Sequence, residues 1–170
     1  LPPSTRPGQI REVVRRLQEA QPTGRTDAGR ALGALGEMID KRSLIMVMSD
    51  LLDCEPDGLA DEARGPLVDR LRQLRARGHD VCLFHLLDPD EVKLPFEDLV
   101  HFEGLEPGDT RTLLAQAPDL AAAFARESAA FRQRWREACL ETGIEYRFVQ
   151  TDASPVEVLR AFLADRHKGG

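Results

Sequence analysis

Short apolar runs that end in acids, alternating with helical spacings, predict an α/β domain built on a mostly parallel sheet with helices on both faces. The first observation is Leu44-Ile45-Met46-Val47-Met48, an apolar run bounded by Arg42-Ser43 and Ser49-Asp50. So short a run between polar residues reads as a strand buried on both faces, as in a parallel sheet covered by helices. The second is Asp80-Val81-Cys82-Leu83-Phe84-His85-Leu86-Leu87, another such run, which ends in Asp88-Pro89-Asp90. The third is the segment between them, whose helical spacing and length suit a parallel crossover.

Taken in order, residues 1–8 hold three prolines and a glycine and read as an extended lead-in. Ile10, Val13, Val14 and Leu17 then recur at helical spacing over Gln9 to Ala20, and Gln21-Pro22-Thr23-Gly24-Arg25 breaks the pattern. A second helix is expected from Asp27 to Ile39, with Ala28, Ala31, Leu32, Leu35 and Ile39 inward and Thr26 at its cap. After the first strand, Leu51 to Gly65 is acidic and irregular. Pro66 suits a first helical turn, Leu67, Leu71 and Leu74 continue it, and Gly78 stops it.

Residues 92–116 interrupt the alternation. Leu99-Val100-His101-Phe102 and Thr110-Arg111-Thr112-Leu113-Leu114 flank Glu106-Pro107-Gly108-Asp109, which predicts an inserted β-hairpin. Pro118-Asp119 opens the longest helix, with Leu120, Phe124, Phe131, Trp135 and Ala138 or Cys139 along one stripe, ending before Gly143. Ile144, Tyr146 and Phe148 alternate with Glu145 and Arg147, which predicts a third strand with one exposed face. The last helix covers Pro155 to Ala164 with Val156, Leu159, Phe162 and Leu163 inward, and His167-Lys168-Gly169-Gly170 is expected to fray.

A chain of 170 residues fits one domain with a sizeable core. The formal net charge of -6 gives no electrostatic reason to expect nucleic acid or an anionic membrane as partner. Arginines alternate with apolar residues and acids along helices, as from Arg70 to Arg77, and read as solvated helix faces. Cys54, Cys82 and Cys139 form neither a metal-ligand pair nor a disulfide framework, so a reducing, cytoplasmic compartment is the simplest reading. No apolar run is long enough to span a membrane. The chain opens on Leu1-Pro2-Pro3 without an initiator Met, which reads as a piece of a longer protein.

All three strands end in an acid: Asp50, Asp88 and Asp152. In a parallel sheet these share one edge, where ligands of such folds gather. With the Thr26 hydroxyl they suit a hard cation such as Mg²⁺, although acids after a strand more often cap the next helix. Asp53 and Glu55 extend the acidic loop. His85, inside an apolar strand, reads as a hydrogen-bonded core histidine, His79 as an exposed residue, and His101 lacks an acid partner in sequence. Neither a glycine-rich phosphate loop nor a Gly-x-Ser-x-Gly elbow is present.

Thr23-Gly24-Arg25-Thr26-Asp27-Ala28-Gly29-Arg30-Ala31-Leu32, followed by Arg42 to Asp50, resembles the later part of a von Willebrand factor type A-like domain. More closely, with Arg75 to Val81, Phe84 to Pro89 and Leu94-Pro95-Phe96-Glu97, the chain is similar to a bacterial family of unknown function. Members of that family end in such a domain and are associated with MoxR-type AAA+ ATPases. The likeness runs from about Leu1 to Leu163. In type A domains a metal-ion-dependent adhesion site is built from an Asp-x-Ser-x-Ser loop, a Thr and an Asp. Thr26 matches the second position and Asp50 the third, whereas the first motif occurs nowhere in the chain and Leu51 replaces the glycine that commonly follows the Asp. The resemblance implies that the first loop and its strands lie upstream of Leu1, leaving the metal site incomplete. Two protein oxygens hold Mg²⁺ poorly in water.

The expectation is therefore one Rossmann-like α/β domain over residues 1–170, the carboxyl-terminal part of a type A-like domain with its N-terminal strands missing. Its function would be non-enzymatic binding of a protein such as a MoxR-type ATPase, with no nucleic acid or membrane partner. An edge strand left uncovered would make a homodimer a further expectation. The alternative is a metal-assisted hydrolase or phosphoryl-transfer enzyme that uses Asp50, Asp88 and Asp152.

Overall fold

The computed structural model describes residues 6–21, 27–52, 66–95, 99–103 and 112–168. Its elements run α1 (Gln9–Glu19), α2 (Ala28–Met38), β1 (Leu44–Ser49), α3 (Pro66–Ala76), β2 (Asp80–Leu87), α4 (Pro89–Lys93), β3 (Leu99–Glu103), β4 (Thr112–Gln116), α5 (Ala117–Glu141), β5 (Glu145–Gln150) and α6 (Pro155–Lys168). β1, β2 and β5 form a parallel sheet in that order, and β3 and β4 form a separate antiparallel pair. The fold is the α/β arrangement expected, with the hairpin inserted between β2 and β5.

One face of the sheet holds the main core. Ile45 and Val47 of β1, Val81 and Leu83 of β2 and Tyr146 of β5 meet Leu32 of α2, Leu67, Val68, Leu71 and Leu74 of α3, and Trp135 and Cys139 of α5. Helix α2 comes close to α3 because Gly36 lacks a side chain, and a Cβ there would lie 3.2 Å from Leu74. Gly78 and Gly143, at φ of 88° and 67°, end the two helices that lead into β2 and β5, a backbone that suits glycine. The opposite face is thinner: Cys82 and Phe84 of β2 pack on Phe162 of α6, with Leu86, Val149 and Val158 beside them.

Several expectations are corrected. β1 is not buried on both faces. Ile45 is 5% exposed, but Leu44, Met46 and Met48 are 47%, 36% and 58% exposed. The reason is position: β1 lies last in the order of the described strands, and α6 packs on β2 and β5 rather than on β1. The stripe of α1 (Ile10, Val13, Val14 and Leu17) is exposed, and no residue of the helix is buried. On α6 only Phe162 is buried from the expected set, while Val156, Leu159 and Leu163 face solvent.

The polar face of β5 is not bare either. Glu145 and Arg147 are half-buried against the end of α6, where Arg147 pairs with Asp165 at 2.8 Å and Arg166 with Glu145 at 3.3 Å and with Asp80. These pairs carry the helix on to Lys168, beyond the expected end at Ala164. The short helix α4 was not foreseen. His79, expected at the surface, is 3% exposed and accepts the Ser43 N–H at Nδ1 from 3.3 Å.

Candidate functional site

The three parallel strands place their carboxyl ends on one edge, and Ser49-Asp50, Asp88 and Thr151-Asp152 stand there. Each acid meets a different local fate. Asp50 is exposed, and its Oδ1 accepts the Leu52 N–H at 3.2 Å, its one side-chain hydrogen bond among the described residues. Beside it the Ser49 hydroxyl oxygen accepts the Leu51 N–H at 3.0 Å. These two bonds fold the chain into a tight turn that puts Leu51 at φ 63° and buries its side chain completely. A non-glycine residue in that region is uncommon, and here the core contact of Leu51 holds it.

Asp88 is engaged instead. It caps α4 by accepting the Asp90 N–H at 2.9 Å, with Glu91 reaching back to the Asp88 N–H at 2.7 Å, a reciprocal capping box. Its second oxygen accepts the Thr151 hydroxyl at 3.1 Å. Asp152 lies exposed in the turn that follows. Among the described residues no three of His, Cys, Asp and Glu come together as a group able to hold a metal. Thr26, Asp53, Cys54 and Glu55 lie outside the described residues. The cap of α2 is Asp27, which accepts the Arg30 N–H at 2.8 Å, rather than Thr26.

Beneath Asp50 sits His85, fully buried in β2 and opposite Ser49 in register. Its Nδ1 is 2.8 Å from the Tyr146 hydroxyl, and Phe131, Tyr146 and Phe148 surround the ring edge-on with centroids 5.7, 6.0 and 5.9 Å away. Nε2 has no hydrogen-bond partner among the described residues. Burial pushes the imidazole down to about 4, the Asp50 backbone opposes that, and the Arg132 charge adds to it. His85 is thus neutral at physiological pH and fully buried. The expectation of a hydrogen-bonded core histidine holds. Sequence alone does not reveal the Tyr146 contact, because the partner lies on a strand far along the chain.

The buried thiols of Cys82 and Cys139 are pushed up to about 12, the neighbouring Glu145 charge adding to the effect at Cys82. The hollow of about 100 Å³ beside Leu32, Gly36, Arg70 and Arg77 lies between α2 and α3, and Arg77 Nη1 closes it by donating to the Gly36 carbonyl at 2.7 Å. No helix among the described residues is long and apolar enough to cross a membrane.

The sequence model of a protein family matches residues 1–134; its description reads "Protein of unknown function DUF58". The chain belongs to that family. No curated protein and no solved structure matches the chain.

Proposed function

We propose, from membership of this family of unknown function, that the chain is a protein-binding module rather than a catalyst, and that it works with a MoxR-type AAA+ ATPase through the carboxyl edge of its sheet. The type A-like likeness comes from the sequence resemblance around Thr26 and Asp50, and the ATPase link from the wider resemblance that includes Arg75 to Val81, Phe84 to Pro89 and Leu94 to Glu97. One observation carries the reading: Asp50 stands exposed at the end of β1, and among the described residues its carboxylate accepts from one backbone donor. Asp88 is consumed as a cap, and His85 is buried in the core. A free acceptor above a closed core favours binding over turnover.

The described residues alone do not make a cage for Mg²⁺, since Asp50 is the only oxygen donor of the expected pair that they include. Mg²⁺ enters this reading only through Thr26 and further ligands, and the binding role does not depend on it. The test is calorimetric titration of the chain with a purified MoxR-type ATPase, with and without Mg²⁺, for the unmodified chain and Asp50→Ala. At least a tenfold loss of affinity on substitution is expected. Unchanged ATPase binding and unchanged Mg²⁺ binding in Asp50→Ala would overturn the proposal.

A further inference from the structure

Arg70, Gln73 and Arg77 fall on one face of α3 by helical spacing, and Gly33, Gly36 and Glu37 on one face of α2. These six line the hollow of about 100 Å³ between the two helices. That is space for several waters, and so for one small anion, but far less than an organic ligand fills. The two glycines have different reasons. Gly36 is required by packing, since a Cβ there would lie 3.2 Å from Leu74 and 3.3 Å from Arg77. At Gly33 a Cβ would meet Arg70 first, at 3.6 Å, an ordinary contact. Glycine inside a helix is weaker than alanine, and packing does not require it at position 33. It does keep the floor of the hollow open beside the Arg70 guanidinium.

The arginines of α3 also divide. Arg72 pairs with Asp69 at 3.3 Å, and Arg75 donates to the Gly143 and His79 carbonyls at 3.0 and 3.2 Å. Arg70 and Arg77 line the hollow instead. Arg70 Nη1 donates to the neutral Gln73 side chain at 2.9 Å and Arg77 Nη1 to the Gly36 carbonyl. Among the described residues neither meets a carboxylate, although Glu37 lines the same hollow. Two cationic forks thus keep their charge and their remaining N–H groups uncompensated by described residues.

We propose that this hollow is a phosphate site, in which Arg70 and Arg77 hold a phosphate group over Gly33. A guanidinium presents paired N–H donors that match two oxygens of a tetrahedral anion. Glu37 selects among anions. A carboxylate ligand offers acceptors alone and is repelled by it. Monohydrogen phosphate and protonated phosphomonoesters carry an O–H that the Glu37 carboxylate accepts. On a chain of net charge -6, general attraction does not draw anions, so binding here depends on the local pair of guanidiniums. The hollow is bounded by described residues of two helices that pack side by side, and it shares no residue with the carboxyl edge of the sheet.

The proposal does not rest on the ATPase reading, and its test contains neither ATPase nor divalent cation. Backbone amide shifts of the whole chain are followed by NMR during titration with inorganic phosphate at pH 7 and constant ionic strength. Phosphoserine and acetate are titrated in parallel. Saturable shifts are expected at Gly33, Gly36 and Glu37, with acetate weaker by about tenfold or more. Arg70→Gln and Arg77→Gln should each weaken phosphate by a similar factor. Glu37→Gln should bring acetate closer to phosphate. Gly33→Ala separates a site from mere packing: it should raise the melting temperature, as alanine does in a helix, and yet weaken phosphate. Phosphoserine bound tighter than phosphate would assign the site to a phosphoester, and equal binding to the phosphate group alone; the site stands in both cases. Shifts that do not saturate would overturn the proposal. So would acetate binding as tightly as phosphate, or a phosphate affinity indifferent to Arg70→Gln, Arg77→Gln and Gly33→Ala.

Discussion

The imidazole of His85 and the phenol of Tyr146 are joined at 2.8 Å, tying β2 to β5 directly under the carboxyl edge. Because Nε2 has no partner among the described residues and Nδ1 has Tyr146, Tyr146→Phe leaves both ring nitrogens buried without a described partner. The expected loss is about 1–3 kcal/mol, the cost of an orphaned buried polar group. Urea unfolding of the substituted chain checks it, and an unchanged midpoint would mean that the bond contributes nothing.

The same histidine predicts an acid sensitivity. The unfolded chain protonates it near its ordinary value of 6.5, the folded chain only at about 4. Between these values the unfolded state takes up a proton that the folded state refuses. The stability it contributes is therefore complete above pH 6.5 and is lost as the pH falls toward 4, by about 3 kcal/mol in full. Replacing the imidazole removes this component, so His85→Leu should show a shallower dependence of the urea midpoint on pH across that window than the unmodified chain.

Leu51 sets two effects against each other, since its side chain is buried and its backbone is left-handed. Leu51→Ala forfeits the side chain and should cost about 2–5 kcal/mol. Leu51→Gly forfeits the same contacts but relieves a backbone cost of roughly 1–2 kcal/mol. Glycine should therefore be the milder substitution, the reverse of the usual order, and paired thermal melts decide it.

Phe162 anchors α6. Its ring meets Phe84 edge-on at 5.5 Å, with the Arg147 and Arg166 guanidiniums 5.3 and 5.4 Å from its centroid. Phe162→Ala should cost about 3–5 kcal/mol and should raise hydrogen exchange along α6 more than along α3. Equal loosening of both helices would show that the anchor is shared more widely.

Cys82 and Cys139 are fully buried and their thiols are held protonated. A thiolate is the reacting form. Both should resist iodoacetamide in the native chain at neutral pH and react once urea unfolds it, as peptide mass mapping would show.

Much of the architecture is legible in local pattern. The glycines at 78 and 143, the apolar runs of β1 and β2, the alternation of β5 and the two runs that form β3 and β4 each report on their own segment. What escapes is set by distant chain. The stripe of Leu44, Met46 and Met48 looks like core in sequence, because an apolar run does not say whether its strand lies inside the sheet or at the rim. His79 looks like a surface residue after a helix stop, and only the approach of Ser43 buries it. Val156, Leu159 and Leu163 share a helical face, yet the sheet beneath them is too narrow to cover all three. Of the candidate site, the place of Asp50 at the end of β1 and the capping role of an acid such as Asp88 could be read directly. The partnership of His85 with Tyr146 could not.

The order of the strands also bears on how the chain folds. β1 and β2 are linked through α3, but β2 meets β5 only after a loop holding α4, the hairpin and the longest helix has closed. Closing that loop costs entropy before any contact in it is gained. The β3–β4 pair, local in sequence, can form within microseconds on the scale of hairpins. β5 is therefore expected to dock last, and until it arrives β2 lacks its partner on that side. The slow phase of refolding should track Trp135 becoming buried, since that residue sits on the helix that delivers β5.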